Sequence, residues 1–440
     1  MSLEVLTVVD VTSDGQGIAF DRKNRKIFIK NALLGEEVEV SFFGEKEKYA
    51  QADIVRVLKP SKSRIEPICK SRCGACSFKV WDYQKELDFK TQLTLDLFKD
   101  FSGFKEKFLG MFGAKNDSHY RNKAIYAVQF KDNKPIIGLY ESNSHEIFEM
   151  ENCYLEEPWM RKVLLVIKES LISILKENQD IPLRYIYLRG SDSSEKIVVL
   201  VAKSEFKAQA TIVTALKNNG ISNILLNIND SVGNRVLGDK FITLNGSADI
   251  SYQLFDKTFK LNANSFLQIN KAQTQVLYSK AIELLNPSLD ESLADLYCGV
   301  GTISICVHDK IKSVFGIECV SDAIDYANQN KEINKASNTS FYVGLVEDVL
   351  PKLVANNSKV DIAILDPARK GCEESVFKVL SECQTKRIAY ISCNPKSQVR
   401  DLKIAQKYGF KIEKFLFVDM FPRTGHVETV VLLSREKQNG

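Results

Sequence analysis

Three side chains in the carboxyl-terminal region have types and positions that suit chemistry. Cys393 follows the predicted strand RIAYIS and precedes Asn394 and Pro395, where the chain must turn and expose the thiol. Glu318 and Asp366 end two other predicted strands, SVFGIE and VDIAILD. A thiolate is a nucleophile, and carboxylates bind hydroxyl groups or move protons. The set therefore favours a catalytic pocket, although a purely structural role for Asp366 and Cys393 is the alternative.

These side chains need elements that bring them together, and the carboxyl-terminal sequence pattern provides them. Strand-like segments alternate with helix-like segments, which is typical of a doubly wound parallel sheet covered on both faces. The carboxyl ends of parallel strands meet at one edge, where such sheets bind ligands. The last two strand-like runs, KIEKFLFVD and VETVVLL, have no helix between them. They predict an antiparallel pair at one edge of the sheet.

A glycine-containing loop follows the first strand of this region, in the sequence DLYCGVGT from Asp295 to Thr302. Gly299 and Gly301 allow a tight turn and a close approach of the backbone to a ligand. Glu318, at the end of the next strand, is placed to accept hydrogen bonds from ribose hydroxyls. The loop lacks both the third glycine of a dinucleotide site and a phosphate-binding Gly-Lys-Ser/Thr. It therefore suits a nucleoside cofactor better than a nucleotide.

A second set of cysteines lies in CKSRCGAC, with one more thiol downstream. Cys69, Cys73, Cys76 and Cys153 suit an iron–sulfur cluster or a tetrahedral metal. No secretion signal precedes them, so we expect reduced thiols. The spacing Cys-x3-Cys-x2-Cys is also typical of radical S-adenosylmethionine enzymes. The separate cofactor loop far along the chain and the fourth cysteine favour a structural or substrate-positioning role instead.

Length and patterning predict a multidomain cytoplasmic protein. The 440 residues carry a net charge of only +4, and no apolar run approaches the ~20 residues that span a bilayer, so we expect no membrane association. Short strands separated by glycines predict a small β-barrel over 1–59. An α+β domain with the cysteine set follows over 60–262, and the doubly wound α/β domain occupies 263–440. Part of 80–120 is expected to pack on the last domain.

Several longer motifs together resemble one enzyme family, the bacterial RNA uracil-C5 methyltransferases that make 5-methyluridine. The resemblance covers most of the chain, with the motifs in the family's order. It implies a Rossmann-like catalytic domain that uses S-adenosyl-L-methionine. The motifs that carry it are SFLQIN (Ser265–Asn270), DLYCGVGT (Asp295–Thr302), DPAR (Asp366–Arg369), SCNP (Ser392–Pro395) and DMFPRTGHVE (Asp419–Glu428).

The resemblance also assigns roles to residues. It implies that Cys393 adds to C6 of uracil and that Glu428 removes the C5 proton after methyl transfer. Phe266 stands where an aromatic ring can replace a displaced base. His426, expected on the same strand face as Glu428, has a supporting role. The residues that fall where the family contacts its cofactor are Gln268, Tyr297, Gly299, Glu318 and Asp366.

The amino-terminal half narrows the resemblance to one branch of the family. GQGIAF, NALLGEEVEV and ADIVRVL resemble an OB-like TRAM domain, whose expected RNA contacts here are Arg22, Lys23 and Lys26. Members with this domain often hold a 4Fe–4S cluster, with five residues between the first two cysteines, whereas this chain has three. This branch implies a monomer acting on 23S ribosomal RNA. The alternatives are the T-loop uridine of tRNA and a non-catalytic RNA-binding factor.

Overall fold

The structure is a computed structural model that describes residues 3–71, 73–141, 146–150, 152–177, 180–190, 195–231, 233, 235–356 and 359–435. These residues form three large sheets and one isolated two-stranded hairpin. Within them, no helix combines the length and the apolar character that crossing a membrane requires.

The first sheet contains six short strands near the amino terminus. They are β1 (Leu3–Thr7), β2 (Asp10–Val11), β3 (Gly17–Phe20), β4 (Lys26–Ile29), β5 (Glu37–Phe43) and β6 (Tyr49–Lys59). Their order is β1-β5-β6-β4-β3-β2, and buried and accessible side chains alternate along β4 and β5. The alternation gives the sheet a core of small aliphatic residues. The assignment of this N-terminal sheet as an OB-like TRAM barrel stays a prediction.

The second sheet forms the centre of the molecule, with two helices packed on it. Before it come α1 (Tyr83–Leu95), α2 (Phe104–Lys107) and β7 (Phe108–Phe112), and after it the hairpin β15 (Ile250–Leu254) and β16 (Lys257–Leu261). The sheet and its helices are β8 (Lys123–Lys131), β9 (Lys134–Tyr140), β10 (Ile147–Glu149), α3 (Pro158–Lys176), β11 (Leu183–Gly190), β12 (Lys196–Ala202), α4 (Gln209–Asn218), β13 (Asn223–Ile228) and β14 (Lys240–Asn245). The strand order is β10-β9-β8-β11-β12-β13-β14.

The carboxyl-terminal part alternates strands and helices, as its sequence pattern predicted. Its helices are α5 (Lys271–Leu285), α6 (Thr302–Val307), α7 (Ser321–Ile333), α8 (Val346–Ala355), α9 (Glu374–Glu382) and α10 (Pro395–Lys407). Its strands are β17 (Ser292–Leu296), β18 (Ser313–Glu318), β19 (Thr339–Val343), β20 (Ile362–Leu365), β21 (Arg387–Ser392), β22 (Phe410–Val418) and β23 (Glu428–Arg435).

The third sheet has the order β19-β18-β17-β20-β21-β23-β22-β7. All neighbouring strands are parallel except β23, which runs antiparallel to β21 and β22. Buried apolar clusters cover both faces of this sheet. The predicted antiparallel pair is therefore confirmed, but the outer edge belongs to β7.

Strand β7 reaches this sheet from far earlier in the chain and pairs with β22. An aromatic cluster packs where β7 and the segment before it meet β22. The rings of Phe98 and Phe415 stack with centroids 4.6 Å apart, and the ring centroids of Phe108 and Phe417 are 4.7 Å apart. The β15–β16 hairpin contacts the catalytic part too, because Asn330 and Asn334 of α7 hydrogen-bond to its backbone. The predicted domain boundary, between residues 262 and 263, stays a prediction.

Candidate active site

The pairing of β21 with β23 brings a thiol and a carboxyl group together. Ser392, the last residue of β21, pairs with Thr429. Because the strands are antiparallel, the position beyond this pair is occupied by Cys393, which follows Ser392, and by Glu428, which precedes Thr429. Asp366 directly follows β20, the parallel neighbour of β21. The predicted sheet edge therefore carries Cys393, Glu428 and Asp366 side by side.

Glu428 is a buried carboxyl group with an unsatisfied oxygen. The residue is 2% exposed, and its Oε2 atom has no hydrogen-bond partner among the described residues. Burial chiefly, together with the charge of Asp366 and against the charge of Arg369, raises the pKa of Glu428 to about 8. A buried carboxyl group without partners is costly for folding, which is typical of a functional rather than a structural residue.

Cys393 is half-buried at the same edge. Its burial raises the pKa of the thiol, and the charges of Glu428 and Asp366 act in the same direction. Arg369 lowers the pKa of the thiol, so it is a cation near both reactive groups. Burial also raises the pKa of Asp366 to about 7, with a further contribution from Asp295. The burial and mutual repulsion of Glu428, Asp366 and Cys393 therefore disfavour simultaneous ionisation of these groups, and a positive charge beside them favours it.

The loop after β17 is shaped by three left-handed residues, Tyr297 (φ 70°), Gly299 (φ 54°) and Gly301 (φ 80°). A Cβ on Gly301 would lie 2.8 Å from the Phe341 ring, so only glycine fits there. A Cβ on Gly299 would meet nothing within 4 Å, so open space faces this residue. The backbone N–H of Gly299 donates to Oε2 of Glu318 at 3.3 Å. The backbone of this loop at Gly299 and the Glu318 carboxylate thus form one accessible polar surface, called here the polar cradle.

The segment between β16 and α5 carries Phe266 and Gln268. The Phe266 side chain is 72% exposed, whereas Gln268 is 7% exposed. Arg189 holds the segment by donating from Nη1 to the backbone oxygen of Ser265 at 2.6 Å, and Asn122 Nδ2 donates to the Gln268 backbone oxygen at 3.2 Å. An anchored backbone therefore presents an aromatic ring to solvent.

The expectation for His426 was wrong in its geometry. Strand β23 begins at Glu428, so the two residues do not share one strand face. The His426 ring is exposed and lies edge-on to Phe421, with centroids 5.8 Å apart. Partial burial lowers the pKa of His426, and the charges of Arg369 and Lys90 add to this effect. His426 lies near the end of the loop that leads to Glu428, and its lowered pKa favours the neutral imidazole.

The predicted metal ligands Cys69, Cys73, Cys76 and Cys153 are free, partly accessible thiols. Burial raises the pKa of Cys76 to about 12, and Cys73 and Cys69 contribute to the shift. Burial also raises the pKa of Cys153 to about 12, with a smaller contribution from Cys76. Cys69 Sγ lies 4.0 Å from the backbone oxygen of Asn152, which precedes Cys153. In the part of the chain that the structure describes, no three His, Cys, Asp or Glu side chains form a metal-holding group.

The predicted RNA contacts lie on two different parts of the molecule. Arg22, Lys23 and Lys26 are exposed residues of the N-terminal sheet, where Arg22 lies 3.6 Å from Glu4. Phe266 belongs to the anchored segment beside the cofactor loop.

Comparison with known proteins decides what kind of pocket this is. Residues 82–436 match the model of the tRNA (uracil-5-)-methyltransferase family. The chain belongs to this family. It is therefore an RNA uracil-C5 methyltransferase, as its motifs predicted.

Full-length relatives agree with the family match. An uncharacterized RNA methyltransferase of Staphylococcus aureus (strain MSSA476) is 37% identical over 445 residues, covering 97% of this chain and 97% of the relative. One of Clostridium tetani (strain Massachusetts / E88) is 33% identical over 440 residues, covering 98% and 95%. The crystal structure of Pyrococcus abyssi tRNA (uracil-54, C5)-methyltransferase in complex with S-adenosyl-L-homocysteine gives a TM-score of 0.78 at 25% identity, covering 97% and 98%.

Some residues of the methyltransferase site were missed at the level of single side chains. Arg369 was quoted only as part of DPAR, yet its charge affects Cys393, Glu428 and His426. Asp295 was named only as the start of DLYCGVGT, yet it is buried and accepts from the Ser304 hydroxyl at 2.6 Å. Both lie inside recognised motifs, so the motif was the available signal.

The raised pKa of Glu428 predicts how stability depends on pH. The folded protein keeps this proton between about pH 4.5 and about pH 8, where the unfolded chain has lost it. The wild type should therefore lose stability relative to Glu428→Gln as the pH rises through this window. We expect the difference in free energy of unfolding to grow by more than about 1 kcal/mol and then to level off.

Chemical denaturation at several pH values between 5 and 9 measures this difference. Glu413→Gln is the matched control, because the hydrogen bond from Ser434 lowers the pKa of Glu413 and leaves the group ionised in both states over this range. Its difference from wild type should be constant. A pH-independent difference for Glu428→Gln as well would contradict the assignment of a protonated carboxyl group.

Proposed function

We propose that the chain methylates C5 of a uridine in RNA through a covalent bond between Cys393 and C6. The observation that carries this proposal is the β21–β23 register, which sets a half-buried thiol beside a buried, unsatisfied carboxyl group. A non-catalytic RNA-binding factor has no use for such a pair. The cost of burying Glu428 without partners therefore favours the enzyme over the binding factor.

S-adenosyl-L-methionine is the proposed methyl donor, and the described residues fit it. The polar cradle of Gly299 and Glu318 is accessible, and the ionisable groups beside it favour a positively charged ligand. The proposed contacts are Gln268, Tyr297, Gly299, Glu318 and Asp366. When bound, the cofactor supplies an electrophilic methyl group on a cationic sulfur.

The chain's own residues perform the remaining steps. The Cys393 thiolate adds to C6 of uracil, and the electron pair of the C5–C6 bond makes C5 nucleophilic. After C5 has gained the methyl group, the Glu428 carboxylate removes the C5 proton. The electrons of that C–H bond restore the C5–C6 double bond and expel the thiolate. Arg369 supports both ionised groups.

Removing each reactive group should stop the reaction at a different stage. Cys393→Ala should form no covalent complex with RNA and release no tritium from C5-labelled uridine, because addition to C6 is lost. Glu428→Gln should form the complex but not resolve it, because the C5 proton stays in place. We expect at least a ~100-fold loss of tritium release for each variant. Denaturing gels and a release assay measure the two quantities.

Cys383→Ala is the control for these variants, because Cys383 is a half-buried thiol at the end of α9 in the same domain. It should form the complex and release tritium at the wild-type rate. The assignment of Glu428 fails if Glu428→Gln, with Cys393 intact, forms no complex with an RNA that the wild type methylates.

We propose 23S ribosomal RNA as the substrate, on the basis of the N-terminal strands and the cysteine set. The T-loop uridine of tRNA is the second candidate, favoured by the family's description and by the full-length similarity to the Pyrococcus abyssi enzyme. Phe266 is proposed to stack in the place of the displaced base. Arg22, Lys23 and Lys26 are proposed to contact RNA phosphates from a cytoplasmic, monomeric protein.

Mass mapping of RNA from cells with and without the protein distinguishes the two substrates. We expect a 5-methyluridine of 23S RNA to disappear on deletion, to return with the wild-type chain and to stay absent with Cys393→Ala. A loss confined to tRNA would support the second candidate. An unchanged pattern of 5-methyluridine in both RNAs would contradict both substrate assignments.

We propose that Cys69, Cys73, Cys76 and Cys153 hold a 4Fe–4S cluster. Four soft thiolate donors suit such a cluster, and Cys69 Sγ lies 4.0 Å from the backbone oxygen of Asn152, the residue before Cys153. The group would supply a rigid link between the segment before α1 and the segment before α3. No catalytic step depends on it.

Anaerobically purified protein should therefore be brown and contain about four iron and four sulfide ions per chain. Cys73→Ser should lose the colour and most of the iron, because one ligand is gone. Cys383→Ser, a change at a thiol outside the set, should keep both. Zinc in place of iron in colourless wild-type protein would overturn the cluster assignment.

A further inference from the structure

A buried group of charged side chains holds the loop that delivers the proposed base. We propose that Glu86, Lys90, Asp419 and Arg423 form an ion cluster that positions this loop, and that Lys90 and Arg423 are positioning residues for proton removal. The loop, residues 419–427, is called the base loop because it ends at Glu428. The inference rests on the proposed function and assigns it two further residues.

Lys90 of α1 is the centre of the cluster. Its Nζ lies 2.6 Å from Oε1 of Glu86 and 2.8 Å from Oδ1 of Asp419. The Lys90 side chain is 2% exposed and the two carboxylates are fully buried. Nζ also donates to the backbone oxygen of Phe421 at 3.4 Å, and Tyr83 donates to the second oxygen of Asp419 at 2.8 Å. One helix thus fixes the start of the base loop.

Arg423 fixes the middle of the base loop. Its backbone has a left-handed φ of 70°, which a residue with a side chain adopts only where the surroundings impose it. Its backbone N–H donates to Oε1 of Glu86 at 2.7 Å, and its Nη1 donates to the backbone oxygen of Trp81 at 2.7 Å. Nε donates to Asp117 at 2.7 Å. These bonds impose the conformation from several directions.

Uncharged donors hold the rest of the base-loop backbone. Asn270 donates to the oxygen of Met420 at 3.1 Å, and the Tyr120 hydroxyl donates to the oxygen of Pro422 at 2.9 Å. On the other side, a Cβ on Gly425 would lie 3.0 Å from the backbone oxygen of Ser13, in the turn between β2 and β3. The loop is therefore fixed by directional bonds along its length and has little room to relax.

Buried ion clusters are a poor means of gaining stability, because desolvation offsets their attraction, but they specify direction and distance. Here the ion cluster can position Glu428 but not Cys393. The base loop leads directly into Glu428, whereas Cys393 lies on the connection from β21 to α10. Among the described residues, this connection receives no hydrogen bond from the ion cluster. Disturbing the cluster should therefore slow proton removal and spare addition of the thiol.

Single-turnover reactions with C5-tritiated uridine RNA test this separation of steps. Lys90→Met removes the charge and keeps the length of the side chain. We expect the covalent complex to form at the wild-type rate, tritium release to slow at least tenfold, and the complex to accumulate. Lys85→Met is the matched control on the same helix, since Lys85 pairs with Asp88 at the surface. It should match wild type in both steps.

Tyr83→Phe provides a second, milder test, because it removes one bond to Asp419 without leaving a buried charge unpaired. If Lys90→Met lacks a cooperative thermal transition and is therefore unfolded, Tyr83→Phe alone tests the positioning role. We expect the same split between the two steps, with a smaller effect. Equal slowing of addition and release in the folded variants, or wild-type rates for both, would overturn the positioning role. A wild type that releases no tritium from any uridine RNA would instead refute the proposed function.

Discussion

The antiparallel pairing of β21 with β23 is the constraint on which the active site depends. A shift of one residue would turn the Glu428 side chain to the other face of the sheet and away from Cys393. Buried polar bonds prevent that shift. Thr429 donates to Gln398 Oε1 at 2.6 Å, and Gln398 donates to the backbone oxygen of Tyr390 at 2.9 Å. The helix after Cys393 thus holds the strand that carries Glu428.

The electrostatics of the pocket follow from the same geometry. Asp295, Asp366 and Glu428 are carboxyl groups whose pKa values are raised to about 6, about 7 and about 8, each chiefly by burial. Asp295 also raises the pKa of Asp366, and Asp366 raises that of Glu428. Such a set ionises more readily beside a positive charge. A pocket of this kind is matched to a cationic ligand and to an uncharged ring such as uracil.

Local patterns predicted the strand ends and the motif residues, because both depend on nearby sequence. Contacts between distant segments were predicted only in outline, since part of 80–120 was expected to pack on the last domain without a named partner strand. The five residues of β7 have no local signal for a partner such as β22. Glu86 and Lys90, four residues apart on α1, resemble a solvated surface pair, and only the approach of Asp419 buries them. The expectation that His426 shares a strand face with Glu428 was wrong, because the two-residue periodicity of a strand does not extend to residues before β23 begins.

A proton-removing carboxylate must be placed to within about half an ångström. Glu428 cannot be placed through its own side chain, since Oε2 has no partner among the described residues. Its position must come from the backbone on each side. Strand pairing fixes the backbone after Glu428, and bonds to the base loop fix the backbone before it. An apolar contact would allow that loop to slide, whereas charges bonded to defined oxygens do not. The reactive carboxyl group can thus remain unbonded because the chain leading to it is held.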